Sequence, residues 1–204
     1  EKNVWDNIVA GFIDISFKNS YSWGKYQESM GWKVIRCAIR ENNEIVAAAQ
    51  GFYKIFFSIA TVVTCPSGPI GDLSKIDLHF SFFIKNLLKS NLIYIRISSS
   101  KEYNLSDNIS LEDNGWKKPN FLNTKGLSMR LSILNDNWKA NIRRNWKRNL
   151  NKSKELDITI KKMHPIIGNN ISNLYRIMAK NKNLIHQPSK TQINKIIEHN
   201  EKAI

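Results

Sequence analysis

The chain has 204 residues, 42% hydrophobic and 24% charged, enough for one domain of ordinary size or one and a half. Its 31 Lys and Arg against 17 Asp and Glu leave a net charge of +14. Such a surplus predicts an anionic partner (nucleic acid, a nucleotide-linked substrate or anionic lipid) without choosing among them. The longest apolar run, IFFSIATVVTC at 55–65, falls short of the ~20 residues a membrane helix needs, so no transmembrane segment is expected. Cys37 and Cys65 lie in VIRCAI and VVTCP, without disulfide or zinc-ligand spacing, and are expected to be small buried hydrophobes in a reducing compartment. No charged-then-apolar leader opens the chain, so a cytoplasmic location is expected. A start at Glu1 rather than Met predicts a segment of something longer.

In chain order, VWDNIVAGFIDI (4–15) has loose helical spacing, and SWGKYQESMGW (22–32) reads as a short amphipathic helix ended by Gly31. KVIRCAIRENNEIVAAAQGFYKIF alternates or runs apolar around Asn42-Asn43, which predicts a β-hairpin with a third strand through 53–63. CPSGPIG (65–71) is a loop by its Pro and Gly content. Ile76, Phe80, Phe83, Ile84, Leu87 and Leu88 keep helical spacing between Asp72 and Ser90. LIYIRIS (92–98) alternates as a strand; a polar stretch and a helical turn ending at Gly115 follow. KGLSMRLSI (125–133) and LDITIKK (156–162) read as further strands around a basic helix at roughly 136–154. After His164-Pro165 the pattern breaks, and two helices, ISNLYRIMAKN and SKTQINKIIEHN, end the chain. Hairpin-linked strands with inserted helices predict an α+β domain over 1–165, with a mixed, mostly antiparallel sheet flanked by helices. Residues 166–204 are expected to open a second, incomplete unit.

Familiar catalytic constellations are missing. His79, His164, His186 and His199 are scattered without metal-ligand spacing, so no metal site is expected. There is no G-x-S-x-G, no phosphate-loop motif, no G-x-G-x-x-G and no tight carboxylate cluster. No catalytic residue can be assigned, and no bound cofactor is expected.

The stretch NWKANIRRNWKRNLNKSK (137–154) holds seven Lys or Arg and no acid. On one continuous helix, Trp138, Ile142, Trp146 and Leu150 would form an apolar stripe. Lys139, Arg143 and Lys147 would flank it on one side; Arg144, Arg148 and Lys152 would flank it on the other. The expectation is a core-packed helix whose basic flanks hold an anion, because like charges four apart repel and an anionic ligand offsets that repulsion. A second candidate surface lies around Trp23, Lys25 and Gln27, with Lys25 and Gln27 on the more exposed side. The rigid Gly68-Pro69 loop is a plausible ligand wall. A basic nucleic-acid-binding domain is the alternative from another class, though no RNA-recognition or helix-turn-helix signature is present.

Taken in order, NSYSWGKYQESMGWKVIRCAIRENNEIVAAAQ, CPSGPIGDLS, LEDNGWKKP and NWKRNLNKSKELDITI resemble the Fem-type aminoacyltransferases of peptidoglycan-bridge synthesis. The matching positions are Asn19, Ser20, Trp23, Gly24, Gly31 and Trp32, then Gly68 and Pro69, then Trp146, Lys147, Leu150 and Lys152. The resemblance spans roughly residues 5–200 and implies an acetyltransferase-like (GNAT-like) fold used twice in the whole protein. It implies transfer of an amino acid from aminoacyl-tRNA to the stem peptide of an anionic peptidoglycan precursor. An acyl-CoA-dependent N-acyltransferase of the same two-domain plan is the alternative it leaves. With the resemblance, Trp23, Lys25, Gln27, Gly68, Pro69, Lys147 and Lys152 are expected to contact substrate, and the basic residues Arg143, Arg144 and Arg148 read from the helix geometry to contribute to or border the same site. Three departures bear on this. Gln27 stands where the family commonly has a phosphate-binding Lys, with Lys25 a possible substitute. Ser67 replaces the Arg of an Arg-Gly-Pro loop. Lys147 and Asn151 stand where Arg is frequent. No CoA pyrophosphate loop is present, so ordinary acetyl-CoA binding by this domain is not expected.

Overall fold

A computed structural model describes residues 1–88, 91–119, 140, 142–159, 168–184 and 188–200. The chain divides into two compact units: Glu1–Lys117 with Pro165–Ile204, and Lys118–His164.

The first unit opens with helix α1 (Lys2–Ala10), whose Trp5 and Val9 are buried four residues apart on one face. A single 3₁₀ turn at Phe17–Asn19 follows, then helix α2 (Tyr21–Ser29). Ser20 N-caps α2 by accepting a hydrogen bond from the Trp23 N–H at 3.2 Å. Gly31, at φ +80°, follows the last turn in the left-handed conformation that a Cβ disfavours.

Strand β1 (Lys33–Glu41) turns back through Asn42-Asn43 into β2 (Glu44–Phe56), the expected hairpin. Both turn residues have positive φ, a conformation Asn tolerates well. The third strand differs from expectation. β2 runs on to Phe56, the chain turns at 57–59, and β3 occupies Ala60–Pro66. A continuous apolar run hides its turn, because nothing between Ile55 and Val63 is a Gly, Pro, Asn or Asp. The loop expected at 65–71 is also shorter, since Cys65 and Pro66 end β3 and Ile70–Gly71 form a short strand, β4.

Helix α3 (Asp77–Leu88), preceded by a 3₁₀ turn at Leu73–Lys75, carries the chain to β5 (Leu92–Ser98). Helix α4 (Leu105–Asp113) is N-capped by Asn104 and starts inside the stretch expected to be irregular. The sheet order is β1-β2-β3-β5, with β4 also on β2. β1/β2, β2/β3 and β2/β4 are antiparallel, whereas β3/β5 is parallel, with α3 in the crossover. This is the expected mixed, mostly antiparallel α+β sheet.

Alternation along β2 sends side chains to two cores. Ala47 and Ala49 pack with Val63, Cys65, Ile76, Phe80 and Ile84; Ala48 packs with Trp5, Val9 and Ile70. Both cysteines are free, Cys65 buried and Cys37 half-buried.

Two further helices, α6 (Gly168–Asn181) and α7 (Lys190–Asn200), belong to the first unit, and α7 packs on α2 and on α6. The Lys195 ammonium donates to the Ser29 carbonyl at the end of α2, where a cation suits the helix dipole. In the second unit, helix α5 spans Arg144–Glu155. The strand expected at 125–133 lies outside the described residues. Of the one expected at 156–162, residues 156–159 are not in a strand and the rest lie outside. Among the described residues, no helix is long and apolar enough to cross a membrane.

Candidate functional site

In the first unit, a buried polar clamp joins α2, the sheet and the loop between β3 and β4. Asn19 is 1% exposed and all its polar groups are used. Its Oδ1 accepts from the Ser16 N–H at 2.8 Å, and its Nδ2 donates to the Ser67 carbonyl at 3.1 Å. The Trp5 indole N–H donates to the Asn19 carbonyl at 2.7 Å. Gln50, fully buried, donates through Nε2 to the Lys18 and Ser20 carbonyls, both at 3.0 Å. Its Oε1 accepts from Arg36 Nε at 2.6 Å, and Arg36 is its direct partner in the β1/β2 register. The Arg36 guanidinium lies 4.3 Å from the Tyr21 ring centroid and reaches α2 where Gly24 has no side chain. Burial lowers the Arg36 pKa, opposed by the field of Tyr21, Glu28, Asp6 and Glu1. The Gln50 bonds fix the start of α2 against the sheet, and the Asn19 bonds tie the same segment to α1 and the β3–β4 loop.

Gln50 lies between the β2 residues paired with β3 and those paired with β4. The connecting loop carries Ser67 at φ +59° and a cis Gly68–Pro69 bond. Ser98 N–H donates to the Gly68 carbonyl at 2.9 Å. Gly68 and Pro69 are buried and Ser67 is half-buried, and the loop is held through two backbone carbonyls, those of Ser67 and Gly68.

On the outer part of α2, Trp23 packs edge-on to Phe17 at 5.1 Å and against Tyr26 at 4.8 Å. Its indole N–H is buried and meets no acceptor among the described residues. An orphaned donor of this kind costs about 1–3 kcal/mol. Lys25 is exposed and paired to Glu28 at 2.6 Å. The hydrogen bond to Glu28, then its charge, raises the Lys25 pKa. Lys25 is thus exposed as expected but engaged with Glu28, and Gln27, expected on the exposed side with it, is half-buried.

The second unit departs further from expectation. The helix expected over 136–154 is interrupted: Ala140 is helical, Ile142 and Arg143 are not, and α5 starts at Arg144. Arg143 is the N-cap, with extended ψ and no side-chain capping bond. Asn141 and β-branched Ile142 are weak helix formers, and cations four apart at a helix N-terminus oppose both one another and the dipole. The Lys147 ammonium crosses the break to the Ala140 carbonyl at 3.2 Å. Trp146 is 67% exposed rather than core, and Ile142 and Leu150 are half-buried; the expected stripe and flank residues Trp138 and Lys139 lie outside the described residues. Arg144, Lys147, Arg148, Asn151, Lys152 and Glu155 line a shallow cleft of about 670 Å³ along one side of α5. The basic residues expected together are thus collected on α5, except Arg143.

Trp23, Lys25, Gln27, Gly68 and Pro69 lie in the first unit and the basic set lies in the second. Sequence reading passed over Arg36 and Gln50, whose only mark is a polar residue interrupting each of two apolar runs. Among the described residues, no group of His, Cys, Asp or Glu could hold a metal ion.

No family model and no curated protein matches the chain. Among solved structures it is similar to the crystal structure of FemX, with a TM-score of 0.79 at 17% identity, over 100% of this chain and 54% of that one. The likeness shows that the two share a fold, and the chain spans about half the length of the structure it matches.

Proposed function

We propose that this chain is the N-terminal part of a Fem-like aminoacyltransferase acting on a peptidoglycan precursor in the cytoplasm. The observation that carries the reading is the fold shared with FemX along the whole chain. In this reading α6 and α7 lead into a second acetyltransferase-like unit. The step is aminolysis: an acceptor amine attacks the ester carbonyl of aminoacyl-tRNA, a C–N bond forms, and the C–O bond to the ribose breaks. A proton passes from the amine to the departing oxygen. Positioning and charge stabilisation suffice for such chemistry, and no covalent enzyme intermediate is needed.

The α2 surface is assigned to the precursor, with the half-buried side chains of Trp23 and Gln27 on it. The α5 cations Arg144, Lys147, Arg148 and Lys152 are assigned to phosphates. An exposed Trp146 among them favours tRNA, since an indole can stack on an unpaired base.

The test is to incubate the full-length protein with aminoacyl-tRNA and precursor and to follow the precursor by mass spectrometry. A gain of one amino-acid residue is expected. Transfer from acyl-CoA alone would establish the N-acyltransferase of the same plan instead, and transfer from neither donor would sink both. In the same assay Arg144→Ala with Arg148→Ala should lower the yield of transferred product without unfolding the protein, because both side chains are exposed.

A further inference from the structure

The two β-hairpins use the same backbone conformation at their turns but very different residues. Asn42 and Asn43 (φ 47° and 68°) suit it, whereas Phe57 and Ser58 (φ 52° and 59°) do not. A left-handed Phe is an outlier that local turn chemistry does not select. Burial does not select it either, because Phe57 is 93% exposed. Ile55, Phe56 and Ile59 around it are also exposed, as is Leu92, whose N–H donates to the carbonyl of Ile59 in the turn. This end of the sheet is a projecting apolar tip.

Two cations collar the tip. Lys54 precedes Phe56 on the α2 face of β2, with its ammonium 4.7 Å from the Trp32 ring centroid. Lys33 pairs with Tyr53 in the register and lies over that ring at 5.8 Å, on the opposite face. No Asp or Glu occurs from Ile45 to Gly71. At ~3.3 Å per residue, Phe57 reaches roughly 10 Å beyond Lys54. That depth matches the ~5–10 Å to which interfacial elements bury apolar side chains, with amphipathic rings and lysines at the headgroup level.

We propose that the β2–β3 hairpin tip is a docking element for an anionic lipid surface: Phe56 and Phe57 enter the acyl boundary, and Lys33 and Lys54 meet lipid phosphates. Charge complementarity identifies the occupant, since the collar is cationic, the tip lacks acids and the whole chain carries +14. The inference goes beyond the transferase reading and does not depend on it.

Co-sedimentation of the full chain with vesicles of phosphatidylcholine containing a minority of phosphatidylglycerol tests it. Phe57→Asn supplies a residue the turn accepts, so it should keep or raise the melting temperature while vesicle binding falls. The pair Phe56→Ser with Phe57→Asn should lose roughly tenfold or more, from lost apolar burial. Lys33→Gln with Lys54→Gln should cost about fivefold per lysine on anionic vesicles and leave the weak binding to pure phosphatidylcholine unchanged. The idea is overturned if the folded Phe variants bind as the parent does, or if the parent binds no vesicles. It is equally overturned if the tip substitutions abolish a self-association instead, which would assign the tip to a second copy of the chain.

Discussion

Gly24 and Arg36 constrain each other. A Cβ at position 24 would run into the Arg36 guanidinium and stand 2.9 Å from Gln50 Oε1. Gly24→Ala should therefore destabilise the chain by about 1–3 kcal/mol in urea unfolding, and much of that cost should vanish in an Arg36→Ala background. The cysteines allow a second check. Burial pushes the Cys37 thiol up from 9.0 to about 11, and pushes Cys65 higher still. A folded pKa raised above the unfolded one gives stability that is present below pH 9 and lost as pH climbs towards 11. Both thiols should accordingly resist alkylation at pH 8 until denaturant is added, and the melting temperature should fall steadily above pH 9. That Cys65 is buried is legible in VVTCP, whereas Cys37 in VIRCAI is only half-buried. The Arg36–Gln50 bond is not legible, because it exists only once the Asn42-Asn43 turn has set the register that places the two residues opposite each other.

At the level of elements, the Asn-Asn hairpin and β5 could be read directly, since turn chemistry and alternation agree with the tertiary structure. The β2–β3 turn and the start of α5 could not. Periodicity cannot place a turn within an uninterrupted apolar run, and it cannot detect a helix broken by charge repulsion when the apolar spacing continues through the break. The exposed Trp146 gives a prediction. Trp146→Ala should leave chemical stability unchanged within about 0.5 kcal/mol, as expected of an exposed side chain. The same change should weaken binding of unpaired RNA by about 1–3 kcal/mol in fluorescence titration, the scale of one base stacked on an aromatic ring. Equal RNA affinity for the two proteins would remove Trp146 from the proposed donor contact. Of the first-unit candidates, Trp23 keeps a property the sequence could not show, a buried N–H without an acceptor among the described residues. Lys25 is exposed as expected, but its Glu28 partner could not be told from spacing.

For the molecule as a whole, the fold was legible because the order of its segments survives even where individual boundaries shift. The candidate site residues were less so, because they depend on side chains whose environment spacing does not fix. Within the first unit, β2 holds a special place. It pairs with β1 on one edge and with β3 and β4 in succession on the other, and its centre is covered on both faces. No single neighbour can peel away and free it. Amide hydrogens from Ala47 to Phe52 should therefore exchange with deuterium only through unfolding of the whole sheet, far more slowly than those of α4, which has no buried residue. Their exchange rate would serve as a built-in gauge of global stability, readable even while the helices at the surface open and close.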